Sequence, residues 1–536
     1  MRTAVDIARR VLVGSTAATG EYRPLIELAR VAALLTEGRQ VRWAPAAAVL
    51  AGVVPFAAFT TLVLYHFYIK GAFFWDSGVL ASLLSATDPR LPTPPISGGE
   101  SFFATHWTPI FLVLSLIRRV LPISDAQFFA GFSGVCHALP GLAVFWLLYA
   151  GFRLRTALGV ITAAALSLAF CFNGLALAIA RYPHFEMLIV GTALLFFVAI
   201  VQRRTVLASV FFTVCLMTRE DGGFHLFGPL LLLVALNRYR GVPLRAQRRE
   251  IVFAALALTY SLAALGAQHL LFGGQSSLAR IYLGEPAFAN LSFGVISERL
   301  LGYVQYRTYL VLPALVVLFW AMRAGNPYIA IGYLAFVPWA LLHLVADSAL
   351  ASTLSSYYAF PFMIAAFWPL LGVLQTQRAG ASAASPAASV LAFAAMIAVS
   401  FTALDHQHNP GGIALPSGFL SPPSLARQET TETAMAQLVG SKAELGTTLV
   451  DGSVLALAPA AYLAGETVRD AGDRRPDTVI YFVNGYEADR ARAVADAADL
   501  DRHYQVPGTS IRLATDRSID PGSPLGTLLV RTAAKQ

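Results

Sequence analysis

Apolar residues come in long runs along this chain, and the polar residues between them fall at short breaks. A helix needs about 20 apolar residues to cross a bilayer, and on that measure the pattern predicts about eleven crossings. The first runs from Trp43 to His66. Ala126 to Tyr149, Ala157 to Ala178 and a run returning to Arg203-Arg204 follow. Val206 to Met217 and Phe224 to Leu236 form a hairpin of two short arms, interrupted by Thr218-Arg219-Glu220-Asp221-Gly222-Gly223. Ile251 to Leu271, a run ending at Arg323, Tyr328 to Ala346, Ser355 to Thr376 and Ser389 to Leu404 complete the set. Pro109 to Ile117 is too short to cross and stops at Arg118-Arg119, which predicts a helix lying in the outer interface. Glu21 to Leu35 reads as an amphipathic helix on the membrane surface.

After Asp405 the pattern becomes that of a soluble domain. Thr430 to Val439 predicts a helix with Met435, Leu438 and Val439 on one face. Thr447 to Val450, Thr478 to Val483 and Ser510 to Ala514 predict short strands, with a helix over Glu487 to Leu500. The expected organisation is an N-terminal segment, 1–42; a helical membrane domain, 43–404, whose first outer loop is 67–108; a Pro/Gly/Ser-rich linker, 405–423; and a small α/β domain, 424–536.

Composition agrees with membrane embedding. Of 536 residues, 56% are hydrophobic and 13% charged, against roughly a quarter charged in soluble proteins. The net charge of +8 is carried almost wholly by arginine, since lysine occurs only at Lys70, Lys442 and Lys535. On a chain this apolar such charge orients spans and meets lipid headgroups; it does not call for nucleic acid. Arg39 and Arg42 before the first span put the N-terminus in the cytoplasm. Arginines then recur at the inner end of nearly every span, and parity places the α/β domain outside. The Ala-, Arg- and Gly-rich usage points to a bacterium, hence to its cytoplasmic (inner) membrane. Cys136, Cys171 and Cys215 all lie in apolar runs, which argues against disulfides and thiolate metal sites.

On this topology the unusual polar groups collect at the outer face: Asp76, His106, Arg181, His184, Glu186, Arg219, Glu220, Asp221, His225, Arg307 and Asp347. Ionisable groups near lipid are costly and mark function. Asp76 follows Phe73-Phe74-Trp75 just beyond the first span, at headgroup level. Carboxylates with imidazoles suit a hard divalent cation such as Mg²⁺ or Mn²⁺, with His106, His184, Glu186, Glu220 and Asp221 as candidate ligands. Arg181, Arg219 and Arg307 suit a phosphate. Together they suit transfer from a lipid-phosphate donor, with Asp76 as general base. No phosphate-binding glycine loop, nucleophile triad or zinc helix is present.

An aromatic-flanked Asp76 after the first span, a long outer loop, and His106-Trp107-Thr108-Pro109 leading into a short interfacial helix resemble the GT-C superfamily. These are polytopic glycosyltransferases that use polyprenyl-phosphate-linked sugars. The chain also resembles a family of bacterial membrane proteins related to that superfamily, with His-x-x-Pro, His-Pro-Glu and Lys-Glu-Asp motifs. Here these read His106 to Pro109, His184-Phe185-Glu186 and Arg219-Glu220-Asp221, and Tyr357-Tyr358-Ala359-Phe360-Pro361 resembles the family's aromatic entry to a late span. Where the GT-C pattern often has two adjacent acidic residues, Asp76-Ser77 offers one. The resemblance implies a GT-C-like fold and a lipid-linked sugar donor, with Tyr357 joining the arginines at the donor. A glycan or lipid acceptor would be bound with help from the C-terminal domain. A transporter or flippase of lipid-linked sugars, and a non-catalytic partner subunit, are the competing expectations; the first would want polar groups at the bilayer midplane.

Overall fold

The computed structural model describes residues 33–71, 75–86, 88–93, 101–273, 281–284, 286–354, 356–378, 386–401, 417–469, 472 and 474–532. Almost all of the expected surface helix from Glu21, the aromatic flank Phe73-Phe74 and most of the linker lie outside them.

The architecture is a bundle of apolar helices capped by a small sheet domain. Among the described residues, five helical segments are long and apolar enough to cross a membrane: Ala44–Lys70, Asp125–Gly151, Leu244–Phe272, Pro327–Val345 and Tyr357–Thr376. Two bent pairs, Ala157–Cys171 with Gly174–Ala180 (44°) and Phe293–Tyr306 with Thr308–Arg323 (88°), raise the number to seven if each pair is one span. The remaining expected runs form shorter apolar helices, Met187–Val201, Thr205–Thr218 and Ala387–Ser400, together with Gly222–Tyr239.

Short length has a packing reason in Met187–Val201. All 15 of its residues are buried. It stands at the centre of the bundle, with Phe197 edge-on to Trp368 of Pro361–Arg378 at 4.9 Å. A helix walled by protein need not span lipid by itself. Ala44–Tyr65 packs along Asp125–Trp146 through small residues; a Cβ on Gly134 would lie 2.6 Å from the carbonyl oxygen of Phe56. Such close backbone approach takes the place of hydrophobic driving force between helices in lipid. The interfacial helix expected after Pro109 is Ile110–Val120, which buries Ile110, Phe111 and Leu114 and exposes Leu116, Ile117 and Val120.

The C-terminal sheet has five strands: β1 (Thr448–Val450), β2 (Thr478–Phe482), β3 (Arg502–Gln505), β4 (Ile511–Thr515) and β5 (Val530–Thr532), in the order β1-β2-β4-β3-β5. β1 runs parallel to β2 and the other pairs are antiparallel. The three expected strands are β1, β2 and β4. β3 carries polar, half-exposed sequence and β5 is short and largely exposed, with no alternation strong enough to signal either. Helix Ala488–Ala497 lays Ala488, Ala491 and Ala495 on Val479 and Tyr481 of β2. Helix Leu425–Gly440 buries Ala434, Met435 and Leu438.

Candidate functional site at the junction of bundle and sheet domain

Asp76 does not sit in an irregular loop. It lies in the first turn of helix Trp75–Leu83, where a carboxylate complements the helix dipole. That helix is clamped between the two halves of the molecule. On one side Ser77 Oγ donates to the carbonyl of Pro183 at 2.9 Å, next to His184. On the other, Ser82 Oγ donates to the carbonyl of Leu455 at 2.9 Å. Gly78 makes the second contact possible, because a Cβ there would meet Leu455 Cβ at 2.9 Å and the Gly452 carbonyl oxygen at 3.1 Å. Asp76 is therefore half-buried, and the loss of water raises its carboxyl to about 6 against the pull of Arg469 and His106.

Beneath it the three short motifs converge. Glu220 binds the His106 segment with both oxygens: Oε1 lies 3.1 Å from His106 Nδ1, and Oε2 accepts the Trp107 backbone N–H at 2.8 Å. A carboxylate only accepts, so Nδ1 is the donor. Arg219 gathers the other two acids. Its Nε donates to Asp221 Oδ1 at 2.6 Å, one terminal N–H donates to Asp221 Oδ2, and the other donates to Glu186 Oε1 at 2.5 Å. Burial opposes ionisation of Asp221, but the Arg219 guanidinium and the His225 imidazole together outweigh it and hold the carboxyl below the usual range. The second Glu186 oxygen meets His184 Nδ1, and His225 Nε2 lies 3.3 Å from Asp221 Oδ2. Burial, then the charges of His106 and Arg219, hold the His184 imidazole well below its ordinary value.

The local sequence explains this turn. Arg219, Glu220 and Asp221 close the gap between helices Thr205–Thr218 and Gly222–Tyr239. Gly223 lets the second helix start against Arg248–Phe272, since a Cβ would lie 2.0 Å from the Ala257 carbonyl oxygen. Three charges between two apolar arms then have only one another and the neighbouring motifs as partners.

Aromatic rings wall the site. Tyr357 stacks on His184 at 4.2 Å, Phe185 meets His106 edge-on at 5.9 Å, and Phe360 lies under Arg219 at 5.7 Å. Asp76, His106, His184, Glu186, Arg219, Glu220, Asp221, His225 and Tyr357 thus form one neighbourhood. Arg181 caps Gly174–Ala180 on the His66 side of it. Arg307 is engaged elsewhere: it donates to the carbonyls of Thr353 and Tyr306 at 2.9 Å each and lines a separate cleft of about 410 Å³ with Arg299 and Tyr303. Asp347 accepts from Asn290 at 3.3 Å, also apart from the cluster.

The oxygens that Mg²⁺ or Mn²⁺ would take are already committed, Glu220 to His106 and Trp107, Asp221 and Glu186 to Arg219. A guanidinium occupies the centre where a cation would sit, so as arranged the five residues are a poor fit to a metal. Sequence reasoning missed two members, Arg469 and Glu487, both in the sheet domain. Nothing local marks them, because only the docking of that domain brings them near Asp76. A search with family models and a search of curated proteins each found no match to this chain.

Proposed function

We propose that this chain is a membrane glycosyltransferase of GT-C type, which moves a sugar from a polyprenyl-phosphate carrier to an acceptor hydroxyl at the outer face of the cytoplasmic membrane. One observation carries the reading. A carboxylate with its pKa raised to about 6 stands beside the His106–Glu220 pair, at the seam between apolar helices and a soluble domain. A lipid-borne donor reaches such a seam from the bilayer, and a soluble or lipid-linked acceptor reaches it from the aqueous side.

In the proposed reaction the acceptor oxygen attacks the anomeric carbon while Asp76 takes its proton. The bond between the anomeric carbon and the phosphate oxygen breaks, and the polyprenyl phosphate leaves with the electron pair. His106, its ring fixed by Glu220, orients the acceptor through a hydrogen bond. The buried Arg219 network holds the motifs in register and is a scaffold for these groups.

The test is reconstitution of the full chain in liposomes containing polyprenyl-phosphate-linked sugars extracted from bacterial membranes, with lipids and acceptors followed by mass spectrometry. Loss of sugar from the carrier with matched appearance of polyprenyl phosphate and glycosylated acceptor is the expected result. Passage of intact lipid-linked sugar across the bilayer would instead identify a flippase and overturn the reading.

A further inference from the structure

None of the residues of helix Phe293–Tyr306 is buried. Its apolar side chains are nonetheless gathered on one face. Leu300 and Val304 follow Phe293 by seven and eleven positions, about two and three helical turns, and Leu301 flanks them. Phe293 is 89% exposed, Leu301 69% and Val304 61%. The other side meets the protein through polar groups. Arg299 donates to the carbonyls of Leu344 and Ala346 at 2.6 and 2.9 Å, and the Tyr303 hydroxyl donates to that of Ser352 at 2.7 Å. The first two carbonyls close helix Val337–Val345, at the end where backbone oxygens run out of partners within the helix.

The surroundings of the helix say what covers its apolar face. After Tyr306 the chain turns by 88° into Thr308–Arg323, the second arm of the bent pair. That arm exposes Leu315, Leu318, Phe319 and Met322, a stripe at helical spacing that suits acyl chains. Exposed apolar side chains thus continue from one arm of the corner to the other. A helix at a right angle to a span lies in the plane of the bilayer, and an amphipathic helix in that plane seats its apolar face at the boundary of headgroups and acyl chains. Tyr303 and Tyr306 suit that level. The charges on the helix are Glu298 and Arg299, which cancel, so it carries no basic excess to seek anionic lipid.

We propose that helix Phe293–Tyr306 lies in the membrane interface with its Phe293, Leu300, Leu301 and Val304 face seated in zwitterionic lipid, and that from there it holds the 344–353 segment in place. The consequence reaches the site. The Arg307 Nε donates to the carbonyl of Thr353 at 2.9 Å, and four positions further on Tyr357 stacks on His184 at 4.2 Å. Lipid under the helix thereby steadies the segment that delivers Tyr357, whatever reaction the site performs.

The experiment places spin labels on Leu301→Cys, Val304→Cys and Glu298→Cys in the full chain, in phosphatidylcholine nanodiscs; Cys136, Cys171 and Cys215 are buried, and the labelled wild type sets the background. Power saturation then compares collision with oxygen, which concentrates in the acyl region, and with a water-soluble nickel chelate. Labels at 301 and 304 should favour oxygen, and the label at 298 should favour nickel. Equal access of nickel to all three would put the helix in water and overturn the proposal. Exclusion of both reagents from 301 and 304 would show a protein partner, such as a second copy, and overturn it as well. Replacing part of the phosphatidylcholine by phosphatidylglycerol should leave the depths unchanged; labels that sink with it would assign the face to anionic headgroups instead. The hold on the segment is read by hydrogen exchange. Leu301→Glu should speed exchange across 344–353 about tenfold by removing a leucine's burial from the lipid, with the milder Leu301→Ser in between. Exchange in β1 should stay as in wild type, which shows that the chain is folded. Unchanged exchange at 344–353 in both variants would overturn the link to Tyr357.

Discussion

Arg219→Met tests the scaffold role of the buried network. The substitution keeps most of the apolar stem but removes the three N–H donors to Glu186 and Asp221, whose side chains are wholly buried. Glu186 and Asp221 then keep only the His184 and His225 imidazoles as neighbours in a water-poor interior. Removing one partner of a buried ion pair costs about 3–5 kcal/mol, chiefly because the charge left behind has lost its water and its partner. Here two are left, so the upper end of that range applies. Scaling the unfolding entropy to 536 residues gives roughly 1 °C per kcal/mol, so the apparent melting temperature in nanodiscs should fall by about 5 °C. The assay is tryptophan fluorescence on heating, with wild type and variant at one scan rate. The same physics predicts a rescue. Glu186→Leu and Asp221→Leu added to Arg219→Met replace the whole network by apolar groups, which is commonly neutral or better. The triple variant should therefore melt above the single one. A single variant within about 1 °C of wild type, or a triple variant less stable than it, would refute the account of these charges as mutually compensating.

Three further outcomes follow from the geometry. Gly71→Ala should loosen the sheet domain. Gly71 has φ +96°, and a Cβ would lie 2.6 Å from Gly485 Cα, so strain of ~1–2 kcal/mol joins overpacking of ~1–3 kcal/mol; faster hydrogen exchange at 482–485 and at Ser453 would register it, and unchanged exchange would count against the docking described. Transfer should depend on pH through Asp76. Its carboxyl is raised to about 6, so the basic form is lost as pH falls through that value and the rate should drop about tenfold per unit below it. The folded state also holds this proton more tightly than the unfolded chain, so the group's contribution to stability declines as pH rises between the ordinary carboxyl range and about 6. A rate that stays flat down to pH 5 would exclude Asp76 as the base. Glu220→Gln can accept only one of the two bonds now made to His106 and Trp107, and should lower kcat on the order of 10–10²-fold with little change in donor binding; an unchanged kcat would show that the anchoring of His106 is immaterial.

Much of this site was legible in the sequence because it is expensive. His106, His184-Phe185-Glu186 and Arg219-Glu220-Asp221 stand out where apolar runs break, and the cost of leaving charges near lipid requires them to meet. They do meet, Glu220 on His106 and Arg219 on Glu186. The same argument failed for Arg307 and Asp347, which satisfy their hydrogen bonds with nearby carbonyls and an asparagine; a charge at the outer end of a span has local ways to be paired. Span counting by length was least transferable, because Met187–Val201 is enclosed by protein and the run from Ala157 to Ala178 bends by 44° between two helices. In the sheet domain the buried strands β1, β2 and β4 announced themselves by apolar content, while β3 and β5 did not. Arg469 was invisible for a different reason. Its partner Glu487 lies 18 positions away, and its placement beside Asp76 depends on a domain contact that no local pattern encodes.

The central claim is that Asp76 removes the acceptor proton, and Asp76→Asn addresses it most directly. Asn keeps the shape and the helix position but cannot take a proton, so the variant should fold, dock its sheet domain and bind polyprenyl phosphate. Its transfer rate in the reconstituted assay should fall on the order of 10²–10⁴-fold. Asp88→Asn, which alters an exposed pair with Arg90 in the same outer segment, should transfer as wild type. Transfer at the wild-type rate by Asp76→Asn would contradict the account.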